Sequence, residues 1–153
     1  MKLFLSLAMS VLALSAQAQK ADQATAQEIN DALDQWHLAA AKADSNAYFG
    51  LFTDQGMFLG TAPEETWTVA EFWEFSKPYF RRGKAWDFKA IERNVYQSGD
   101  VVWFDETLNT WMDKCRGTGV LIKQGSDWKL AHYSLSILVP NETVEGYLQL
   151  LQE

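Results

Sequence analysis

Between Lys84 and Val139 the chain runs as four stretches of strand-forming residues, separated by Ser98-Gly99-Asp100, Met112-Asp113-Lys114 and Gly125-Ser126. Connections of two or three residues cannot carry a crossover, so each strand must lie antiparallel to the next. The pattern predicts strands over 84–97, 101–111, 115–124 and 127–139. A meander of this kind needs something to cover one of its faces, and the preceding residues supply it. Thr25 and Glu28 read as a capping box that opens a helix, with Ile29, Leu33, Trp36 and Ala40 on one apolar face. Asp44-Ser45-Asn46 breaks that helix and caps a short one that turns Tyr48, Phe49, Leu51 and Phe52 inward. Residues 53–56, Thr-Asp-Gln-Gly, read as a turn before a short strand over 57–61. Thr68 and Glu71 form a second capping box, and Pro78 is expected to end or kink the helix it opens. A last short helix is expected over 143–151. Helices first and strands afterwards make an α+β fold, and a long twisted antiparallel sheet curling around helices encloses a cone-shaped space.

The N-terminus reads as a targeting segment. Lys2 supplies the positive end, residues 3–14 an apolar run, and Ala16-Gln17-Ala18 a small-x-small cleavage site. The expected division is a signal peptide over 1–18 and one domain over 19–153, exported to a bacterial periplasm and free of the membrane after cleavage. Removing the segment takes away Lys2 alone and moves the net charge from −7 to −8. Such an acidic chain repels phosphate backbones, so nucleic acid is excluded as a partner. Cys115 is the single cysteine, which rules out an intrachain disulfide. His37 and His132 are the two histidines, and no HExxH, CxxC, P-loop or GxGxxG spacing occurs, so neither a metal nor a cofactor is expected. Seven Trp among 14% aromatic residues provide apolar mass for a core, for a cavity wall, or for both.

The last strand is the most informative about a site. Side chains two apart share a face, so Trp128 and Leu130 are continued by His132, Ser134 and Ser136. A polar stripe within an apolar strand predicts a pocket wall. Asp105, in the middle of VVWFDETL, needs a partner there, and an Asp that orients His132 would make a general base. Arg116 is placed by register. With Gly125-Ser126 as the hairpin tip, His132 faces Gly119 and Arg116 points to the other face; a loop one residue longer sets Thr118 opposite His132 and brings Arg116 onto its face. Tyr48, Phe58, Trp73, Trp103, Arg116 and Ser134 are the expected ligand contacts, with Trp67, Trp86 and Tyr79 as further aromatic candidates.

Four segments carry a family likeness: FRRGKAWDF (80–88), VVWFDETL (101–108), CRGTGVLIK (115–123) and WKLAHYSLSILVPNE (128–142). On these the chain resembles the SnoaL-like branch of the nuclear transport factor 2-like superfamily. The resemblance implies a cone-shaped α+β barrel, often paired as a homodimer through the outer sheet face. It also implies either of two activities. One is a module that binds a small, largely apolar molecule in the cone. The other is a cofactor-free isomerase, cyclase or dehydratase, for which His132 and Asp105 would transfer protons and Tyr48 would stabilise an oxyanion.

Overall fold

The computed structural model describes residues 19–152, so the expected signal segment lies outside the described residues. The elements follow the order β1 (Gln19–Lys20), α1 (Gln23–Ala41), α2 (Ser45–Gly50), β2 (Phe52–Leu59), β3 (Thr66–Thr68), α3 (Val69–Arg81), β4 (Lys89–Ser98), β5 (Val101–Thr110), β6 (Asp113–Gln124) and β7 (Asp127–Ile137). A 3-10 turn at Asn141–Thr143 then leads into α4 (Val144–Leu150). The strands form one seven-stranded sheet in the order β1-β4-β5-β6-β7-β2-β3, and α1, α2 and α3 cover one of its faces. None of the described helices is long and apolar enough to cross a membrane.

The meander β4-β5-β6-β7 is antiparallel throughout, as the short connections require. The sheet as a whole is mixed, because β2 lies parallel to β7 and closes the far side of the cone. Residues 53–56 are therefore not a turn. They belong to β2, whose pairing with β7 jumps from Phe52↔Leu130 to Met57↔His132. An irregular parallel strand preserves none of the period that would mark it in a sequence.

Local signals account for most helix starts. Thr68 and Glu71 form the expected capping box: Thr68 N–H donates to Glu71 Oε2 at 2.9 Å and Glu71 N–H to Thr68 Oγ1 at 3.3 Å. Asp44 caps α2 by accepting the Ala47 N–H at 3.0 Å. The first helix starts earlier than Thr25, because Asp22 is its N-cap and accepts the Thr25 N–H at 2.9 Å. Glu28 is left free to accept the Trp128 indole N–H at 3.1 Å, which ties α1 to β7. Pro78 sits on the exposed side of α3 and does not stop it before Arg81. Residues 84–88 are not strand: the Ala85 N–H donates to the Ala40 carbonyl at 3.3 Å, and Trp86 and Phe88 turn back onto the helices.

The core lies between α1 and the inner sheet face. Ile29, Leu33, Trp36 and Ala40 from α1 meet Val102, Phe104 and Leu108 from β5, Cys115 and Leu121 from β6, and Leu130, Tyr133 and Leu135 from β7. Trp36 is its centre, stacked on Tyr48 at 4.8 Å between centroids and set edge-on to Tyr133 at 4.8 Å.

Candidate functional site

The polar stripe of the last strand faces outward. Pairing of β6 with β7 runs from Gln124↔Asp127 to Leu121↔Leu130, then resumes at Val120↔His132, leaving Ala131 as an extra, unpaired residue. A one-residue bulge exchanges the two faces of a strand. Trp128 and Leu130 point into the cone, but beyond the bulge it is Tyr133 and Leu135 that do so. His132, Ser134 and Ser136 move to the outer face, and Arg116, paired with Ser136, shares it. The hairpin tip is at Gly125-Ser126 as expected, yet neither register considered for Arg116 is the one formed.

Asp105 and Trp103 lie on the same outer face. Trp103 stacks on Tyr96 at 6.0 Å, and Asp105 accepts from the Asn94 amide at 3.0 Å. Asp105 pairs across the sheet with Thr118, whereas Trp103 pairs with Val120, the neighbour of His132. Asp105 and His132 make no hydrogen bond, so the expected base with its orienting carboxylate is not assembled. Tyr48 is sealed in the core at 1% exposure, and Trp73 packs on the far side of α3 against Phe49 and Phe80. Of the six expected ligand contacts, only Phe58 lines the cone's mouth.

Inside the cone is a charged cluster that is not among the residues expected from the sequence. Glu106, 2% exposed, points inward from β5 between Phe104 and Leu108. Its Oε1 accepts from His37 Nε2 at 2.9 Å and from the Tyr133 hydroxyl at 3.0 Å. Its Oε2 accepts from Arg93 Nε at 2.9 Å and lies 2.8 Å from Arg93 Nη2. Arg93 continues to α1, donating to the Asn30 side chain at 3.1 Å and to Asp34 Oδ1 at 3.0 Å. Gly117, directly across from Glu106, makes the room: a Cβ there would lie 2.8 Å from Glu106 Oε1 and would also strike the Tyr133 hydroxyl.

Burial works to raise the Glu106 carboxyl, but the hydrogen bond and charge of His37, together with Arg93, outweigh it and hold the group below its ordinary range. Burial and the Glu106 charge push the Tyr133 phenol well above its own range. The Tyr48 phenol is likewise raised by burial, against the neighbouring Trp86 indole, although no group meets its hydroxyl in hydrogen-bond geometry. A carboxylate with every strong acceptor direction occupied has no room to take a proton from a substrate. Glu106 is a buried staple joining α1, β4, β5 and β7. Two sequence signals pointed to it: a charge in the inward alternation Val102-Phe104-Glu106-Leu108, and His37 beside Trp36 on the apolar face of α1.

The open part of the cone is different in kind. Its mouth is a cavity of about 310 Å³ walled by Phe58, Trp67, Phe72, Phe75, Trp86 and Phe88, with Leu135 on the floor and Trp111 and Met112 at the far rim. Trp111, expected at the end of a strand, instead occupies the β5-β6 hairpin tip and is 81% exposed. The wall rings share an orientation. Phe58 and Phe72 stack at 3.9 Å and 13°, Trp67 and Phe72 at 5.6 Å and 14°, Trp67 and Phe75 at 4.5 Å and 24°, and Phe72 and Trp86 at 5.8 Å and 26°. The polar side chains lining the mouth are Thr61, Glu65, Tyr79 and Arg82. Among the described residues no three His, Cys, Asp or Glu side chains converge to hold a metal ion.

A family model for the SnoaL-like domain matches residues 29–140. Comparison with curated proteins finds no match. Solved structures resemble the chain in fold. A nuclear transport factor 2-like protein of unknown function from Pseudomonas putida KT2440 superposes with a TM-score of 0.66 at 15% identity, over 80% of this chain and 92% of its own. A nuclear transport factor 2-like protein from Cytophaga hutchinsonii gives 0.62 at 19% identity, over 77% and 100%. A third, of unknown function, from Shewanella baltica gives 0.59 at 10% identity, over 80% and 100%. Likeness at this level establishes the cone; what the cone does has to be read from its lining.

Proposed function

The chain belongs to the SnoaL-like domain family, and from that premise we propose that it is a binding module which takes a small, flat, largely apolar molecule into the mouth of its cone. The observation that carries this reading is the stacked, near-parallel orientation of the wall rings. Phe58, Trp67, Phe72, Phe75 and Trp86 stack on one another at 13–26°, with Phe58 and Phe72 buried and Phe75 exposed. A flat ring can extend such a stack where it is exposed, at Phe75, and a puckered ring of equal volume cannot match that contact. A cavity of about 310 Å³ suits a one- or two-ring molecule.

Binding is preferred to turnover for a chemical reason. The buried carboxylate is saturated by four donor contacts, and the expected His132–Asp105 set lines a hollow on the outer face without a mutual hydrogen bond. Neither can act on a molecule in the mouth. The proposal includes export to a bacterial periplasm, which rests on residues 1–18. It also includes a homodimer through the outer sheet face, where Ile91 and Val101 are exposed; light scattering on the purified protein tests the dimer.

The direct test is a titration with 2-naphthol against its saturated counterpart, decahydro-2-naphthol, followed by quenching of tryptophan fluorescence and by calorimetry. The flat probe is expected to bind saturably and several-fold more tightly. Equal affinity for the two would remove the stacking argument, and no saturable binding of either would remove the binding module.

A further inference from the structure

Building on the reading of the mouth as a slot for a flat molecule, we infer that its ligand carries a negative charge at one edge. The ligand class is a planar aryl acid, its ring against the aromatic wall and its anion on Arg82.

Arg82 is the C-cap of α3 and lines the mouth. Its guanidinium carbon lies 4.4 Å from the centroid of the Tyr79 ring, a cation–π spacing that holds the fork at the rim. Among the described residues the ion pairs join Glu106 to His37 and Arg93, Asp34 to Arg93, and Glu74 to Lys77; none involves Arg82. The one carboxylate lining the mouth, Glu65, is turned to its own loop. It accepts the Ala62 N–H at 3.1 Å and occupies the space beside Gly60, where an added Cβ would come within 2.9 Å of the Glu65 Cβ.

Complementing the C-terminal dipole of α3 is the ordinary task for a cation in this place, and Arg81 in the last turn already performs it. Arg81, Arg82 and Lys84 are all exposed, which makes this rim locally positive on a chain of net charge −7. A guanidinium is a planar, two-toothed donor matched to a carboxylate, and the parallel rings select for a plane. The two requirements meet in an aromatic ring bearing an acid. A ligand ammonium in the same place would face Arg82 and be repelled.

The experiment compares 2-naphthoate, 2-naphthol and protonated 2-naphthylmethylamine by calorimetry, on wild type, Arg82→Gln and Lys84→Gln, at low and at high salt. Wild type is expected to bind naphthoate about fivefold more tightly than naphthol, the range of an exposed ion pair, with the ammonium weakest. Arg82→Gln is expected to bring naphthoate down to the naphthol value and leave naphthol unchanged, and salt is expected to shrink the preference. Thermal unfolding of each variant confirms that the fold is kept. Equal binding of naphthoate and naphthol by wild type would overturn the anion assignment while flat-ring binding stands. A preference that survives in Arg82→Gln but disappears in Lys84→Gln would overturn Arg82 as the holder. Failure of all three probes to bind would overturn this inference together with the reading beneath it.

Discussion

The base of the cone and its mouth, the latter walled by α3, the residues before β4 and the strands β2, β3 and β7, treat polar atoms in opposite ways. At the base, Glu106 meets His37, Tyr133 and Arg93, and each of its oxygens is occupied. At the mouth, near-parallel aromatic rings line an open space, and Arg82 on its rim has no carboxylate partner among the described residues. A buried charge with all its partners is expensive to disturb but offers nothing to a newcomer. An apolar slot with an unpaired guanidinium offers both area and charge. The contrast assigns stability to the base and recognition to the mouth.

The sharpest way to break that division is to remove the staple. Glu106→Leu leaves Arg93 charged with its largest partner gone, and a cost of about 3–5 kcal/mol in urea unfolding is expected. If the variant unfolds at the same midpoint as wild type, the base is not the structural element described. The same group sets an acid dependence. Its carboxyl is held below the unfolded value, so its contribution is complete above the unfolded pKa of about 4.3 and is lost as pH falls through the lower folded value. Stability of wild type should therefore drop across that acid window, with a shallower drop in Glu106→Gln measured from the same midpoints.

Gly117→Ala tests the room beside the staple. The new methyl would crowd Tyr133 and Glu106, with about 1–3 kcal/mol of destabilisation expected in the same assay. No change would mean that the inner sheet face yields there. Phe75→Ala addresses the mouth, since this ring stacks on Trp67 while 42% exposed. It should weaken 2-naphthol by about 0.5–1.5 kcal/mol and leave folding nearly unchanged; the reverse pattern would make the wall a core and not a site. The smallest effect is expected for His132→Ala on the outer face, within about 0.5 kcal/mol in stability and with no change in probe affinity. A clear loss of binding in that variant would return the site to the last strand.

How far each region was legible depends on how local its cause is. The Thr68–Glu71 cap and the hairpin at Gly125-Ser126 act over a few residues and formed as read. The His37–Glu106 contact spans 69 residues, and although both members sat at inward positions of their patterns, nothing nearby joined them. His132 was misplaced for a smaller reason. Ala131 looks like any strand residue, but as a bulge it exchanges the faces of everything after it. Of the aromatic residues expected as ligand contacts, Phe58 lines the mouth while Trp73 and Trp103 lie elsewhere, because an aromatic residue alone does not show which side of its element it occupies.

By itself the sequence determined the kind of fold: helices first, then strands so closely connected that they must be antiparallel, with enough aromatic mass to fill or line a cone. Those conclusions hold because caps, short turns and periodicity act between near neighbours in the chain. Only the tertiary structure decided which face of the last strand looks inward, that β2 closes the cone in parallel, and that Glu106 is fully paired while Arg82 meets no carboxylate among the described residues. Each depends on register and on contacts closed over long stretches of chain. There a single unpaired residue outweighs any local preference, and the interior left open by that closure is where the function is proposed to lie.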